Sequence, residues 1–244
     1  MNLRIKNKVN FIQKFLIPIS KINDLCTLVL DTNSISNLNR TPDSNFSLYI
    51  TSNEIEYSGE KRNLSFADIK KFIKIIDCIQ SESVDLVLNE NNIEYKSNGT
   101  RFKFHLINDN IVKSPNFNID KINSLEFNNE FKINLSTFNS LLKSSLFITD
   151  SSKVYLSTED GKMMAELTDK TKSNIDSYTM EISDCFIGES MSKPLAFDFD
   201  IFRIISFLKT TELCVKLNTT RGIIAFDIED NNYKLKYITT AKVS

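Results

Sequence analysis

The stretch LAFDFDIFRIISFLKTTELCVKLNTTRGIIAFDIEDNNYKLKYI (195–238) opens with a short alternating run and passes into about ten residues of helical periodicity. It then returns to alternation three times. In the helical part, Ile201, Ile204, Ile205 and Leu208 recur at the spacing of one helix face, with Asp200 as a candidate cap. YKLKYI (233–238) alternates with the period of a half-buried strand. One short helix ahead of several strands is a distinctive order, and the chain repeats it.

FKINLSTFNSLLKSSLFITDSSKVYLS (131–157) begins another copy, with Ser136 as cap and Phe138, Leu141 and Leu142 on one face. LSFADIKKFIKIIDCIQSESVDLVLNENNIEYKSNGTRFKFHLI (64–107) is a helix followed by three strand-like runs. Its apolar face is Phe66, Ile69, Phe72, Ile73 and Ile76, with Ser65 as cap and Asp68 in a variant capping box. RIKNKVNFIQKFLIPISKINDLCTLVLD (4–31) runs from helix to strand, with Val9, Ile12, Leu16, Ile19 and Ile22 as its stripe. Pro18 is expected to end or kink that helix, because proline removes a backbone donor. The copies begin roughly 60–70 residues apart, long for a solenoid repeat and right for a small helix-plus-sheet unit. Strands are further expected at SLYI (47–50), VDLVL (84–88), TRFKFHLI (100–107), KVYLS (153–157) and SYTMEI (177–182).

The polar stretch NDNIVKSPNFNIDKINSLEFNNE (108–130), punctuated by Pro115, falls at the midpoint of the chain. It divides the sequence into halves at 1–112 and 131–244, with 113–130 as the connecting loop. Each half holds two helix-plus-strands units, which makes the expected fold class α+β.

Composition narrows the function classes. The 244 residues carry 41% hydrophobic and 25% charged side chains, the balance of a globular chain. No apolar run approaches the roughly 20 residues needed to span a bilayer. The N-terminal stretch starts basic and turns apolar, but Gln13 and Lys14 interrupt it and no small-residue cleavage site follows Ile19. A cleaved leader is therefore not expected. Cys26, Cys78, Cys185 and Cys214 lie far apart in apolar segments, a spacing that fits buried reduced thiols in a cytoplasmic setting rather than a disulfide framework or zinc site. The Asn-, Ile-, Lys- and Ser-rich composition reads as AT-rich coding sequence.

Catalytic signatures are missing from the sequence: there is no GxxxxGK[ST], GxGxxG, HExxH, GxSxG or CxxC. The one histidine, His105, sits in an alternating strand. Glu159–Asp160 and Glu229–Asp230 adjoin Gly161 and Asn231 and read as turns, as does the acidic DIED (227–230). No enzyme activity, metal or cofactor is expected.

The formal net charge of −1 argues against nucleic acid unless the charges are segregated. They are. Opposite the apolar stripes, the four helices carry Lys14 and Lys21; Lys70, Lys71 and Lys74; Lys143; and Arg203 and Lys209. No acid sits centrally on these faces. Glu54, Glu56, Asp109, Asp120, Asp184, Asp227, Glu229 and Asp230 fall in loops and strands. A basic surface made of helices suits phosphate contacts without base readout.

In this repeat grammar, over essentially its whole length, the chain resembles the DNA sliding clamps, the ring-shaped processivity factors of replicative polymerases. The resemblance implies a duplicated strand–helix–three-strand unit in each of two domains and a ring of three subunits. It implies that the eight cations above face double-stranded DNA independently of its sequence. It also implies edge-to-edge pairing between subunits through TRFKFHLI and SYTMEI, with Phe102, Phe104, Tyr178 and Met180 at the joint. A partner groove near the connector and the C-terminal segment would use Leu38, Ile119, Leu125, Tyr237 and Ile238. Implied partners are further copies of the chain, DNA polymerase and clamp loader, and no membrane; composition points to a phage or other viral source. Other readings are a monomeric DNA-binding processivity factor and a non-enzymatic β-rich viral structural or binding protein.

Overall fold

The computed structural model describes residues 1–97, 99–112, 119–148, 152–172, 174–208 and 211–242. Four times the chain runs strand, helix, three strands. The first copy is β1 (Asn2–Ile5), a helix, β2 (Cys26–Asp31), β3 (Ser34–Arg40) and β4 (Phe46–Ser52), with a short β5 (Ile55–Tyr57) appended. The second is β6 (Arg62–Phe66), a helix over Ile69–Asp77, β7 (Val84–Leu88), β8 (Asn92–Ser97) and β9 (Thr100–His105). The third is β10 (Asn129–Asn134), a helix over Leu135–Ser144, β11 (Lys153–Glu159), β12 (Lys162–Leu167) and β13 (Tyr178–Ser183), followed by β14 (Ile187–Gly188). The fourth is β15 (Leu195–Asp198), a helix over Asp200–Ile205, β16 (Glu212–Asn218), β17 (Ile223–Asp230) and β18 (Tyr233–Thr240). Every strand expected from alternation is present.

The chain forms two compact units, Met1–Asn123 with Glu229–Leu235, and Ser124–Ile228 with Lys236–Ser244. In the first, β1 pairs between β5 and β7, giving the order β5-β1-β7-β8-β9, while β6 pairs with β2 in the order β4-β3-β2-β6. Each repeat thus lends its first strand to the other repeat's sheet. The second unit does the same: β10 pairs with β16, and β15 with β11 in the order β13-β12-β11-β15. Neither repeat can close its sheet alone, so the pair is the folding unit.

The first helix runs without a break through Lys8–Phe11, Ile12–Leu16 and Ile17–Ile22. Its middle section is a π turn in which the Ile17 N–H reaches the Ile12 carbonyl, and Pro18 follows directly, at the start of the last segment. The wide turn sits where proline's missing donor and bulky ring disturb the ordinary ladder, so the helix passes Pro18 instead of stopping. The stripe also begins one residue early. Val9 is 50% exposed, whereas Lys8 is buried and its Nζ donates to the carbonyls of Asp77 and Ile79 at the end of the second helix. That end carries unsatisfied carbonyls and partial negative charge, which an ammonium group offsets.

Caps fall elsewhere than expected. Ser65 lies in β6, buried, because the strand continues to Phe66; Asp68 caps the second helix by accepting from the Lys71 N–H at 2.9 Å. In the third, Asn134 rather than Ser136 accepts from Thr137 N–H at 2.8 Å. Asp200 is inside the fourth helix, whose cap Phe199 makes no side-chain bond. Asp68→Ala is expected to cost about 1 kcal/mol, the usual value of an N-cap side chain, in chemical denaturation of the full chain. An unchanged midpoint would count against the cap.

Beneath the helices lie aromatic clusters. Phe66, Phe72 and Phe104 meet with ring centroids 4.9–5.7 Å apart, joining β6, the second helix and β9. In the second unit Phe202 meets Phe138, Phe199 and Phe226 at 5.4–6.1 Å. Phe11 and Phe15 stack at 5.1 Å.

Candidate nucleic-acid interface

In the first unit the first and second helices pack on each other and turn Phe11, Phe15, Leu16, Ile19, Ile69, Phe72 and Ile76 inward. The opposite side of the second helix leaves Lys70, Lys71 and Lys74 exposed, all within its two and a half turns. Lys21 is exposed near the end of the first helix, and Lys14 is half-buried. In the second unit Lys143 and Arg203 are exposed on the third and fourth helices, joined inside by Phe138 and Phe202. Lys209 lies outside the described residues.

The faces are less free of acid than helical spacing implies. Lys70 pairs with Asp24 at 2.9 Å and Lys14 with Asp230 at 2.5 Å. Arg203 pairs with Asp200 of its own helix at 2.6 Å and lies over the Phe199 ring. The hydrogen bond from Lys14 holds the Asp230 carboxyl below its usual range. Lys21, Lys71, Lys74 and Lys143 form no ion pair among the described residues. Two of the three acids come from segments far away in sequence, Asp24 before the β2 strand and Asp230 at the β17–β18 hairpin, and no helical projection contains them. Asp200 was within reach: it stands three residues before Arg203, the spacing of neighbours on one helix face.

Both strands expected at a subunit joint are open edges. β9 ends the five-stranded sheet and β13 the four-stranded one. Their side chains differ in availability. Tyr178 is 40% exposed and Met180 half-buried. Phe102 is half-buried and stacks on Tyr95 at 5.6 Å. Phe104 is core, held by Phe66 and Phe72.

Of the five residues expected at a groove, Tyr237 is fully buried, so its ring fills the core of the second unit and its hydroxyl finds no partner among the described residues. Burial drives that phenol far above its ordinary range. Leu38 (β3), Leu125 and Ile238 (β18) are half-buried, as is Ile119 in a short helix over Ile119–Asn123. The segment that leads into the connector is tied to β6, where Asp109 accepts from Ser65 Oγ at 2.7 Å and Asn63 Nδ2 at 3.1 Å. Residues 113–118 of the connector lie outside the described residues.

The groups weighed for other chemistry are accounted for. His105 is exposed on the β9 edge. Asp160 and Gly161 both have positive φ in the two-residue turn of the β11–β12 hairpin, as that turn requires. DIED closes the β17 strand rather than forming a turn, and its acids are lysine-paired: Asp227 with Lys216 and Lys236, Glu229 with Lys234, and Asp230 with Lys14. Among the described residues no three His, Cys, Asp or Glu side chains could hold a metal ion. Only Cys26 is buried; Cys214 is half-buried, and Cys78 and Cys185 are exposed because they follow the last turn of a helix and the end of β13.

No protein-family model and no curated protein matches the sequence. Solved structures do. PCNA of A. fulgidus, solved with the C-terminal region of FEN-1, is similar at 14% identity and TM-score 0.78, covering 100% of this chain and 98% of that one. PCNA of Thermococcus kodakaraensis is similar at 13% identity and TM-score 0.77, with 99% of both chains covered. A putative DNA polymerase III beta subunit from Eubacterium rectale is similar at 15% identity and TM-score 0.74; the match covers all of this chain and 65% of that one. At such identities the likeness speaks to architecture, and on that level it is complete from end to end: the chain has the α+β DNA-clamp fold.

Proposed function

We propose that this protein is a DNA sliding clamp, a non-catalytic ring that encircles duplex DNA and tethers a polymerase. The observation that carries the reading is the exposed lysine face of the paired helices, above all Lys71 and Lys74, on a chain with the clamp fold and a net charge of −1. Three copies would close the ring, and a polymerase and a clamp loader would engage it from outside. A phage or other viral source and a cytoplasmic setting belong to the same reading, supported by composition.

The mechanism follows from weak attraction. A ring is held on the duplex by topology, so its lining needs only diffuse attraction to phosphates, which salt screens and which exchanges as the ring moves. Lysine suits this because a compact ammonium charge requires no bidentate geometry. The acid partners of Lys14, Lys70 and Arg203 do not remove them from use. Exposed ion pairs contribute about 0–1 kcal/mol, small enough for a phosphate to replace the carboxylate. The tether raises the local concentration of polymerase at the template without new bonds between them.

The test is retention on nicked circular against linear DNA across a salt series, with polymerase stimulation measured in parallel. Retention on circles and loss from linear ends is the expected result. The Lys70/Lys71/Lys74→Ala variant is expected to keep its fold but weaken loading and stimulation. Its salt slope should fall by roughly one unit for each phosphate that is no longer neutralised, with no dependence on DNA sequence. Equal retention on both templates would favour a monomeric DNA-binding factor. No DNA binding would favour a viral structural protein.

A further inference from the structure

The two open edges carry complementary patterns, and these specify one alignment of the strands. On β9, Phe102 and Phe104 face the core while Arg101, Lys103 and His105 are exposed. The Leu106 N–H donates to the Asn91 carbonyl, so the even-numbered residues of β9 turn their backbone groups toward β8. The unpaired donors and acceptors at the open edge therefore belong to Arg101, Lys103 and His105. On β13, Tyr178, Met180 and Ile182 form the core-side row with increasing burial, and Glu181 is exposed on the other face. Glu181 takes a salt bridge from Lys162 at 2.8 Å, and Lys103 reaches Glu94, its direct partner on β8, at 3.6 Å.

We propose that β9 of one copy pairs antiparallel with β13 of the next in the register that sets Lys103 opposite Glu181. This rests on the ring reading above and adds the alignment of its joint. In this register Phe102 meets Ile182, Phe104 meets Met180 and Leu106 meets Tyr178, three apolar pairs on the core side. On the solvent side Glu94, Lys103, Glu181 and Lys162 form a row of alternating charge running across the joint, in which Lys103 and Glu181 each attract both neighbours. Arg101, which faces Lys96 within its own sheet, gains Glu181 as a diagonal neighbour.

The alternatives are poorer. A shift of one residue turns the apolar row of one strand onto the solvent face of the other. A shift of two in one direction leaves Phe102 opposite Asp184. In the other direction Leu106 falls opposite Asp176, which again leaves two apolar pairs instead of three. The register is thus selected by side-chain pattern, since a shift of two in either direction leaves the same backbone groups of β9 at the joint.

The test is disulfide trapping in the full chain, with the exposed Cys78 and Cys185 first replaced by Ser. Directly opposed residues of an antiparallel pair lie about 4.5–5.5 Å apart at Cα, within disulfide reach, whereas residues two positions off lie about 7–8 Å apart. Lys103→Cys with Glu181→Cys should convert most of the chain, under mild oxidation, into species of two and three times 28.0 kDa on denaturing gels. Arg101→Cys with Glu181→Cys should give about tenfold less cross-linked product in the same time, because its sulfurs meet only when the backbone moves. Stronger trapping by the second pair, or none by the first in a protein whose native mass is three chains, would overturn the register and leave the ring standing. A native mass of one chain would overturn both.

Discussion

Phe104→Ala is expected to lower the unfolding free energy by about 3–5 kcal/mol, the usual cost of truncating a buried phenylalanine. The ring is 7% exposed and meets Phe66 at 5.7 Å and Phe72 at 5.2 Å, so removing it opens a void between β6, the second helix and β9 at once. Neither neighbouring ring can collapse into the space without pulling away from the other. Denaturant unfolding followed by far-UV circular dichroism measures the effect. A loss below about 1 kcal/mol would mean that the residue belongs to the edge and not to the core.

The opposite profile is expected for Tyr178→Glu combined with Met180→Glu. Both positions lie on the open β13 edge, at 40% exposure for Tyr178, so the free chain tolerates charge there with little change in stability. Association does not tolerate it. In the proposed joint these side chains meet Leu106 and Phe104 of the neighbour, and two carboxylates would have to be desolvated without partners. Equilibrium sedimentation should move from three chains to one, with retention on circular DNA abolished in the same variant. A trimer that survives both charges would place the joint on some other surface. The two variants separate the faces of a single seam: one breaks the fold from within, the other leaves it folded and alone.

Much of the architecture could be read from pattern because the deciding signals are local. Alternation marked every expected strand, and the apolar spacing of Ile69, Phe72 and Ile76 or of Phe138 and Leu141 marked the helices. What escaped was set by distant chain. Ser65 looked like a cap because it precedes a helical run; the strand pairing of Thr27 with Ser65 carries β6 past it and leaves the cap to Asp68. Val9 opened the stripe by period alone; the residue actually buried there is Lys8, met by the carbonyls of Asp77 and Ile79 from far along the sequence. Phe102 and Phe104 share one face of one strand and are indistinguishable by period, yet only the second lies beneath the helix. Tyr237 had the same alternating context as an edge residue and proved fully enclosed. β5 and β14, at three and two residues, are too short to leave a pattern.

The first unit is not contiguous in sequence, since Glu229–Leu235 belongs to it. There the Asn53 N–H donates to the Asn232 carbonyl at 3.0 Å, Asn232 Nδ2 donates to Glu54 at 2.8 Å, and Asp230 receives Lys14. During synthesis the ribosome releases Met1–Asn123 well before this hairpin exists. At about 5–20 residues per second, the N-terminal half waits on the order of 5–20 s for its last piece. In that interval Lys14 and the buried Glu54 are without the groups that meet them in the finished protein. The order of translation therefore sets the order of completion: the half that is made first is finished only when nearly all of the second half has been made.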